Sequence, residues 1–229
     1  MIPLVLLPGL LNDADLWRDQ IAALEDIAQS QVGDITRGDD LGAIAEQVLS
    51  EAPPRFALAG FSLGGYVAQE ILRRAPERVT RLALLDTSFR SDDPARTASR
   101  RALDRAARAP GRFHGFGDRL LATYLDPAHL RDDAIVSLIR GMTERLGPEV
   151  FVRQNAIERK DGSDVLAALT GPVLVLCGEA DAITPVAEHR AMAALIPDAK
   201  LVIVPRAGHM TPIEQPQAVA QALRDWLLA

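Results

Sequence analysis

Phe56-Ala57-Leu58-Ala59-Gly60-Phe61-Ser62-Leu63-Gly64-Gly65-Tyr66 is an apolar run that ends in a serine framed by glycines. An unbroken apolar stretch of this length, bounded by turn residues, fits a strand buried on both faces. Gly60-Phe61-Ser62-Leu63-Gly64 fits the G-x-S-x-G pattern, in which a strand turns abruptly into a helix. The turn forces its serine into a strained backbone, and the glycines leave room for a close strand-helix approach. The serine Oγ then projects from the end of a sheet, toward any base placed there. A glycine-rich turn with Ser62 as a helix N-cap is the plainer alternative. The flanks weigh against it, because Tyr66-Val67-Ala68-Gln69-Glu70-Ile71-Leu72 reads as a helix ending near Pro76.

Outward from this stretch, short apolar runs alternate with helical patterns, the mark of a parallel sheet covered on both faces. The runs are Ile2 to Leu7, a weak one near Gln31 to Ile35, Phe56 to Phe61, Val79 to Leu85, Val173 to Cys177 and Lys200 to Val204. Helices are expected at about Ala14 to Ile27, Leu41 to Glu51, Leu63 to Ala75, Val186 to Leu195 and Gln217 to Leu228. Pro53-Pro54, Gly171-Pro172 and Pro197-Asp198 punctuate the joins. From about Ser88 to Leu169 the rhythm breaks: helical patterns are separated by Pro110-Gly111, Asp126-Pro127 and Gly147-Pro148, with no convincing strand. That stretch is too long for one crossover. It is expected to be a helical cap over residues 88–169, lying on the carboxyl edge of a core built from 1–87 and 170–229.

Composition bounds the function. The chain has 229 residues, 48% of them apolar and 24% charged, which suits one globular domain. A net charge of −6 argues against nucleic acid or an anionic membrane as partner. Arginines do cluster between Arg90 and Arg112, but aspartates interrupt them, so a solvated helical face is expected. The single Cys177 excludes an internal disulfide and the common cysteine-based zinc sites, and its apolar setting predicts a buried, inert thiol. Met1 to Gly9 lacks a basic segment and reads as a first strand rather than a signal peptide. No stretch approaches the roughly 18 apolar residues of a membrane span. A cytoplasmic protein acting on a small molecule is expected.

A serine nucleophile needs a base, an acid and an oxyanion hole. His209, in Gly208-His209-Met210 just after the last strand, is the candidate base. Asp181, in Gly178-Glu179-Ala180-Asp181 between a strand and the helix opened by Pro185, is the candidate acid. Ser62, Asp181 and His209 stand in the chain order Ser, Asp, His. Asp86 also ends a strand at the carboxyl edge and competes as the acid, with Glu179 a weaker third. His114, His129 and His189 are expected in surface or capping roles. The oxyanion hole should come from two backbone amides: that of Leu63, at the start of its helix, and that of Leu10, after the first strand.

These pieces together resemble the α/β-hydrolase superfamily. The matching segments are Leu7-Pro8-Gly9-Leu10 with Trp17 downstream, Gly60 to Gly65, Gly178-Glu179-Ala180-Asp181 and Gly208-His209. The resemblance implies a mostly parallel sheet, a cap after the sixth strand of the family scheme, and no cofactor or metal. Two departures are visible. Relatives carry His-Gly where Pro8-Gly9 stands, so a histidine that buttresses the loop is missing. The chain also opens directly on that strand, which leaves a sheet of about six strands.

The leading expectation is hydrolysis of carboxylic esters through an acyl-enzyme. A carbon-carbon bond hydrolase, a lactonase or a thioesterase could use the same residues, and a ligand-binding protein of this fold is the alternative from another class. Ser62 disfavours a haloalkane dehalogenase, whose nucleophile is aspartate. The cap is rich in leucine, alanine and arginine, which suggests an apolar acyl pocket with an arginine available to a carboxylate.

Overall fold

Alternate residues of each strand feed two separate cores. Leu4, Leu6, Ala57, Ala59 and Phe61 join one cluster, and Val5, Leu7 and Leu58 the other. A sheet buried on both faces follows, as the unbroken apolar runs require. The computed structural model describes residues 1–108 and 115–229, without the side chain of Ala106. Among them six strands form one sheet: β1 (Ile2–Leu7), β2 (Ala28–Val32), β3 (Phe56–Phe61), β4 (Val79–Leu85), β5 (Val173–Gly178) and β6 (Lys200–Val204). The order is β2-β1-β3-β4-β5-β6, and every neighbouring pair is parallel.

Helices α1 (Arg18–Leu24) and α10 (Pro216–Leu228) bury Leu24, Leu223 and Trp226 on one face. Helices α2 (Leu41–Glu51), α3 (Leu63–Arg74) and α8 (Val186–Leu195) bury Ile44, Ile71 and Met192 on the other. Between β4 and β5 come α4 (Pro94–Arg108), α5 (Asp118–Tyr124), α6 (Asp133–Ala156) and α7 (Ser163–Ala167), with no strand among the described residues. The expected break at Gly147-Pro148 is a sharp kink inside α6, where Gly147 takes φ +75°. The break at Pro110-Gly111 lies outside the described residues. A short α9 (Thr211–Glu214) follows β6. No described helix is long and apolar enough to cross a membrane.

Two elements differ from the sequence reading. The weak second strand was expected near Gln31 to Ile35 but spans Ala28–Val32. Asp34 ends it early, because its carboxylate accepts the Thr36 amide at 2.8 Å and makes a local turn. The expected helix from Ala14 to Ile27 is a 3₁₀ turn at Ala14–Trp17 followed by α1. It stops at Leu24, and Ile27 then bonds the amide of Ile2 on its way into β2.

This topology fixes where a site can form. The chain winds outward from β1 to β2, then crosses back to β3 on the other side of β1. The order reverses between β1 and β3, and a crevice opens there at the carboxyl ends of the strands. Pro8 to Leu11 leave β1 at that point, and Ser62 leaves β3. The two turns touch: an added Cβ on Gly64 would lie 2.5 Å from the carbonyl oxygens of both Leu7 and Pro8. Backbone cannot yield there as a side chain can. We expect Gly64→Ala to lose about 1–3 kcal/mol of stability in urea denaturation, and an unchanged midpoint would contradict this close approach.

Candidate active site

Ser62 sits at φ +51° and ψ −114°, a conformation that a non-glycine residue avoids. Such strain costs roughly 1–3 kcal/mol and needs its surroundings to hold it. Two contacts do so: the Ser62 amide donates to Leu85 O at 3.0 Å, and Thr87 Oγ1 donates to Ser62 O at 2.7 Å. The elbow is thereby tied to the end of β4.

The structure brings Ser62, His209 and Asp181 into one hydrogen-bonded chain. Ser62 Oγ lies 3.0 Å from His209 Nε2, and His209 Nδ1 lies 2.8 Å from Asp181 Oδ2. With its proton on Nδ1 donated to Asp181, the imidazole leaves Nε2 to accept the serine hydroxyl. Asp181 is fully engaged. Its Oδ1 accepts the amides of Ile183 and Thr184 at 2.8 and 2.9 Å, and its Oδ2 also accepts Thr184 Oγ1 at 2.8 Å. Burial works to raise its pKa, but the His209 ring and these hydrogen bonds outweigh burial and hold it below the usual value. The carboxylate therefore stays charged beside the imidazole.

The His209 ring is buried between aromatic faces. Phe61 lies 5.4 Å away and Tyr124 5.2 Å away, the latter edge-to-face. Trp17 packs edge-on against Phe61 at 6.4 Å and so backs the same wall. The loop carrying His209 is pinned from behind by Glu214 of α9. Glu214 Oε1 accepts the amides of Gly208 and Met210 at 2.9 and 3.1 Å, on either side of the histidine. Its Oε2 accepts the Asp126 amide at 2.7 Å and faces His129 Nδ1 at 3.0 Å, both from the segment between α5 and α6. One buried carboxylate thus joins the histidine loop to the insertion between β4 and β5. Gly208 is required there, since an added Cβ would sit 2.5 Å from Tyr124 O.

The other candidates are placed differently. Asp86 follows β4 fully buried, and it accepts the Gly178 amide at 3.0 Å and Thr211 Oγ1. It makes no hydrogen bond or ion pair with His209 among the described residues. Burial, and then the charge of Asp181, raise its pKa well above the ordinary value. Glu179 is exposed. His189 was expected on a helix surface, but it is fully buried on the sheet side of α8. Its Nε2 accepts the Thr87 amide at 3.1 Å, and burial lowers its pKa, so it serves as a neutral acceptor. His114 lies outside the described residues. Cys177 is buried in β5, and burial pushes its thiol up to about 12.

The amides of Leu10 and Leu63 have no hydrogen-bond partner among the described residues, and both residues line the cavity above Ser62. The cavity measures about 480 Å³ and is walled mainly by apolar groups, Leu103, Leu120 and Ile183 among them. Sequence reasoning missed the group that holds the first amide loop. Gln154 of α6 accepts the Leu11 amide at 2.9 Å and donates to Ile35 O at 3.1 Å. It props the loop that follows β1. Leu11 itself takes φ +53° there.

Comparison with known proteins agrees with this geometry. A family model described as the alpha/beta hydrolase family matches residues 4–222. A pimeloyl-[acyl-carrier protein] methyl ester esterase of Pectobacterium carotovorum is 31% identical over 238 residues, covering 95% of this chain and 91% of that protein. Its counterpart from Chromobacterium violaceum is 27% identical over 193 residues, covering 82% and 76%. Among solved structures, a thermophilic esterase from Thermogutta terrifontis with malate bound is 32% identical. It superposes with a TM-score of 0.87 over 100% of this chain and 90% of its own.

Glu214 generates the test of this site's support. Truncation leaves the buried amides of Gly208 and Met210, and the half-buried amide of Asp126, without this acceptor. We expect Glu214→Ala to lose at least about 3 kcal/mol in urea denaturation, and a loss below about 0.5 kcal/mol, the size of an ordinary surface substitution, would contradict the assignment. With the fold, the hydrogen-bonded chain and these likenesses together, the protein belongs to the α/β-hydrolase family and is a hydrolase.

Proposed function

We propose that the protein cleaves carboxylic esters of small to medium substrates through an acyl-enzyme formed on Ser62. The observation that carries this reading is the Ser62–His209–Asp181 chain, opening into a cavity where two amides stand unpaired. Ser62 Oγ attacks the ester carbonyl carbon while His209 Nε2 takes the hydroxyl proton. The carbonyl oxygen becomes an oxyanion, which the Leu10 and Leu63 amides bind. Leu63 opens α3, so the positive end of the helix dipole adds to that stabilisation. The intermediate collapses with loss of the alcohol, which leaves with the proton carried by His209. Water then attacks the acyl-serine, with His209 as base again, and the carboxylic acid departs.

Asp181 keeps the imidazole in the tautomer this cycle needs and balances the imidazolium when it forms. The names of the more identical relatives, pimeloyl-[acyl-carrier protein] methyl ester esterases and a thermophilic esterase, support ester bonds over thioester or carbon-carbon bonds. The mainly apolar cavity supports an acyl group of modest size.

Steady-state kinetics on p-nitrophenyl butyrate separate the two candidate acids. Asp181→Asn should lower kcat by a factor on the order of 10⁴, as loss of the tautomer-fixing carboxylate does elsewhere. Asp86→Asn should leave kcat of the same order, because burial already favours the neutral acid at that position. Loss of activity in Asp86→Asn with Asp181→Asn spared would overturn the assignment.

A further inference from the structure

Arg159 differs from the other arginines that line the cavity. Arg96 is paired with Glu188 at 2.8 Å, and Arg100 with Asp92. Arg159 makes no ion pair among the described residues, Asp92 acting on it only at longer range while it pairs with Arg100, although Arg159 is only 9% exposed. Buried charges are ordinarily paired, since an uncompensated one is strongly unfavourable. Its Nη1 donates to the carbonyls of Ile157 and Gln154, at 2.6 and 3.3 Å, which fixes the guanidinium plane. Nη2 and Nε make no hydrogen bond among the described residues. Half of a planar, two-pronged donor is thus held ready and unused.

Position ties this group to the candidate nucleophile. The guanidinium carbon lies 5.7 Å from the centre of the Tyr66 ring. Tyr66 stands four residues after Ser62 on α3, a rise of about 6 Å. Ser62, Tyr66 and Arg159 line the same cavity, with Leu103 and Leu120 on its apolar wall. Burial and the neighbouring Arg100 push the Arg159 pKa down to about 10, so the group is still a cation at neutral pH.

We propose that Arg159 is a carboxylate-binding residue, and that the enzyme selects esters carrying a free carboxylate a few carbons from the scissile carbonyl. The ligand carboxylate accepts the unused guanidinium protons and supplies the missing counter-charge. The apolar wall takes the intervening carbons. The ester half of the statement rests on the reading of Ser62, whereas the carboxylate site does not. An arginine that served only to hold two backbone carbonyls would give no such selectivity.

The test pairs mono-p-nitrophenyl glutarate with p-nitrophenyl butyrate, and adds calorimetry of glutarate binding to Ser62→Ala protein. The wild type should prefer the glutarate ester. Arg159→Met should cut the glutarate-to-butyrate ratio of kcat/KM about 30-fold, as expected for a lost charge-assisted pair, mainly through KM. Arg159→Lys should retain part of the ratio. Ser62→Ala protein should bind glutarate, and the Ser62→Ala, Arg159→Met double variant should not. An unchanged ratio, or equal losses on the two esters, overturns the proposal. So does a failure of Ser62→Ala protein to bind glutarate, which needs no folded Arg159→Met variant. If no ester is cleaved but glutarate binding depends on Arg159, the Ser62 reading fails while the carboxylate site stands.

Discussion

The strained turn at Ser62 is the constraint on which the site depends. A serine at φ +51° persists only if the chain around it has no easier path. β3 enters the turn fully buried, and α3 leaves it with its first residues packed against the end of β1. The Leu85 carbonyl and the Thr87 hydroxyl clamp it from β4. Strand order supplies the remainder. Because the strand order reverses between β1 and β3, the turn faces an open crevice rather than a neighbouring crossover. Asp181 and His209 arrive at the same edge from β5 and β6. Their distance in sequence is therefore immaterial.

The helical insertion between β4 and β5 supports that crevice. Through Gln154 it holds the loop that presents the Leu10 amide, and through the Asp126 and His129 contacts to Glu214 it meets the loop that presents His209. Tyr124 O accepts the His209 amide itself, at 2.6 Å. Both loops are thus held in part by residues of the insertion. Preorganised donors depend on such support, since a displacement of about 1 Å is enough to cost catalysis heavily. The resemblance implies a buttressing histidine where Pro8 stands, and here Gln154 supports that loop from another element.

Much of this was legible in the sequence, and for a physical reason. Buried parallel strands leave unbroken apolar runs, and five of the six strands were readable from them. The remaining strand, β2, has a mixed polar and apolar pattern, so Ile35 drew the expected strand past the Asp34 turn that ends it. Ser62, Asp181 and His209 were legible because each follows a strand at the same edge. Gln154, Glu214 and Arg159 were not, because their meaning lies in contacts made far along the chain or, for Arg159, in the lack of one. Gln154 meets Leu11 across 143 residues, for example. His189 misled for a related reason: a polar residue on a short helix reads as exposed until a partner such as the Thr87 amide is known.

The central claim is that Ser62 is activated by its position in this particular chain of hydrogen bonds. Labelling with a fluorophosphonate probe, followed by mass spectrometry of the digested peptides, tests that claim most directly. Folded protein should be modified on Ser62 alone, and His209→Ala protein should not be modified. Folded wild-type protein that stays unlabelled, or that carries the label on another serine, would contradict it.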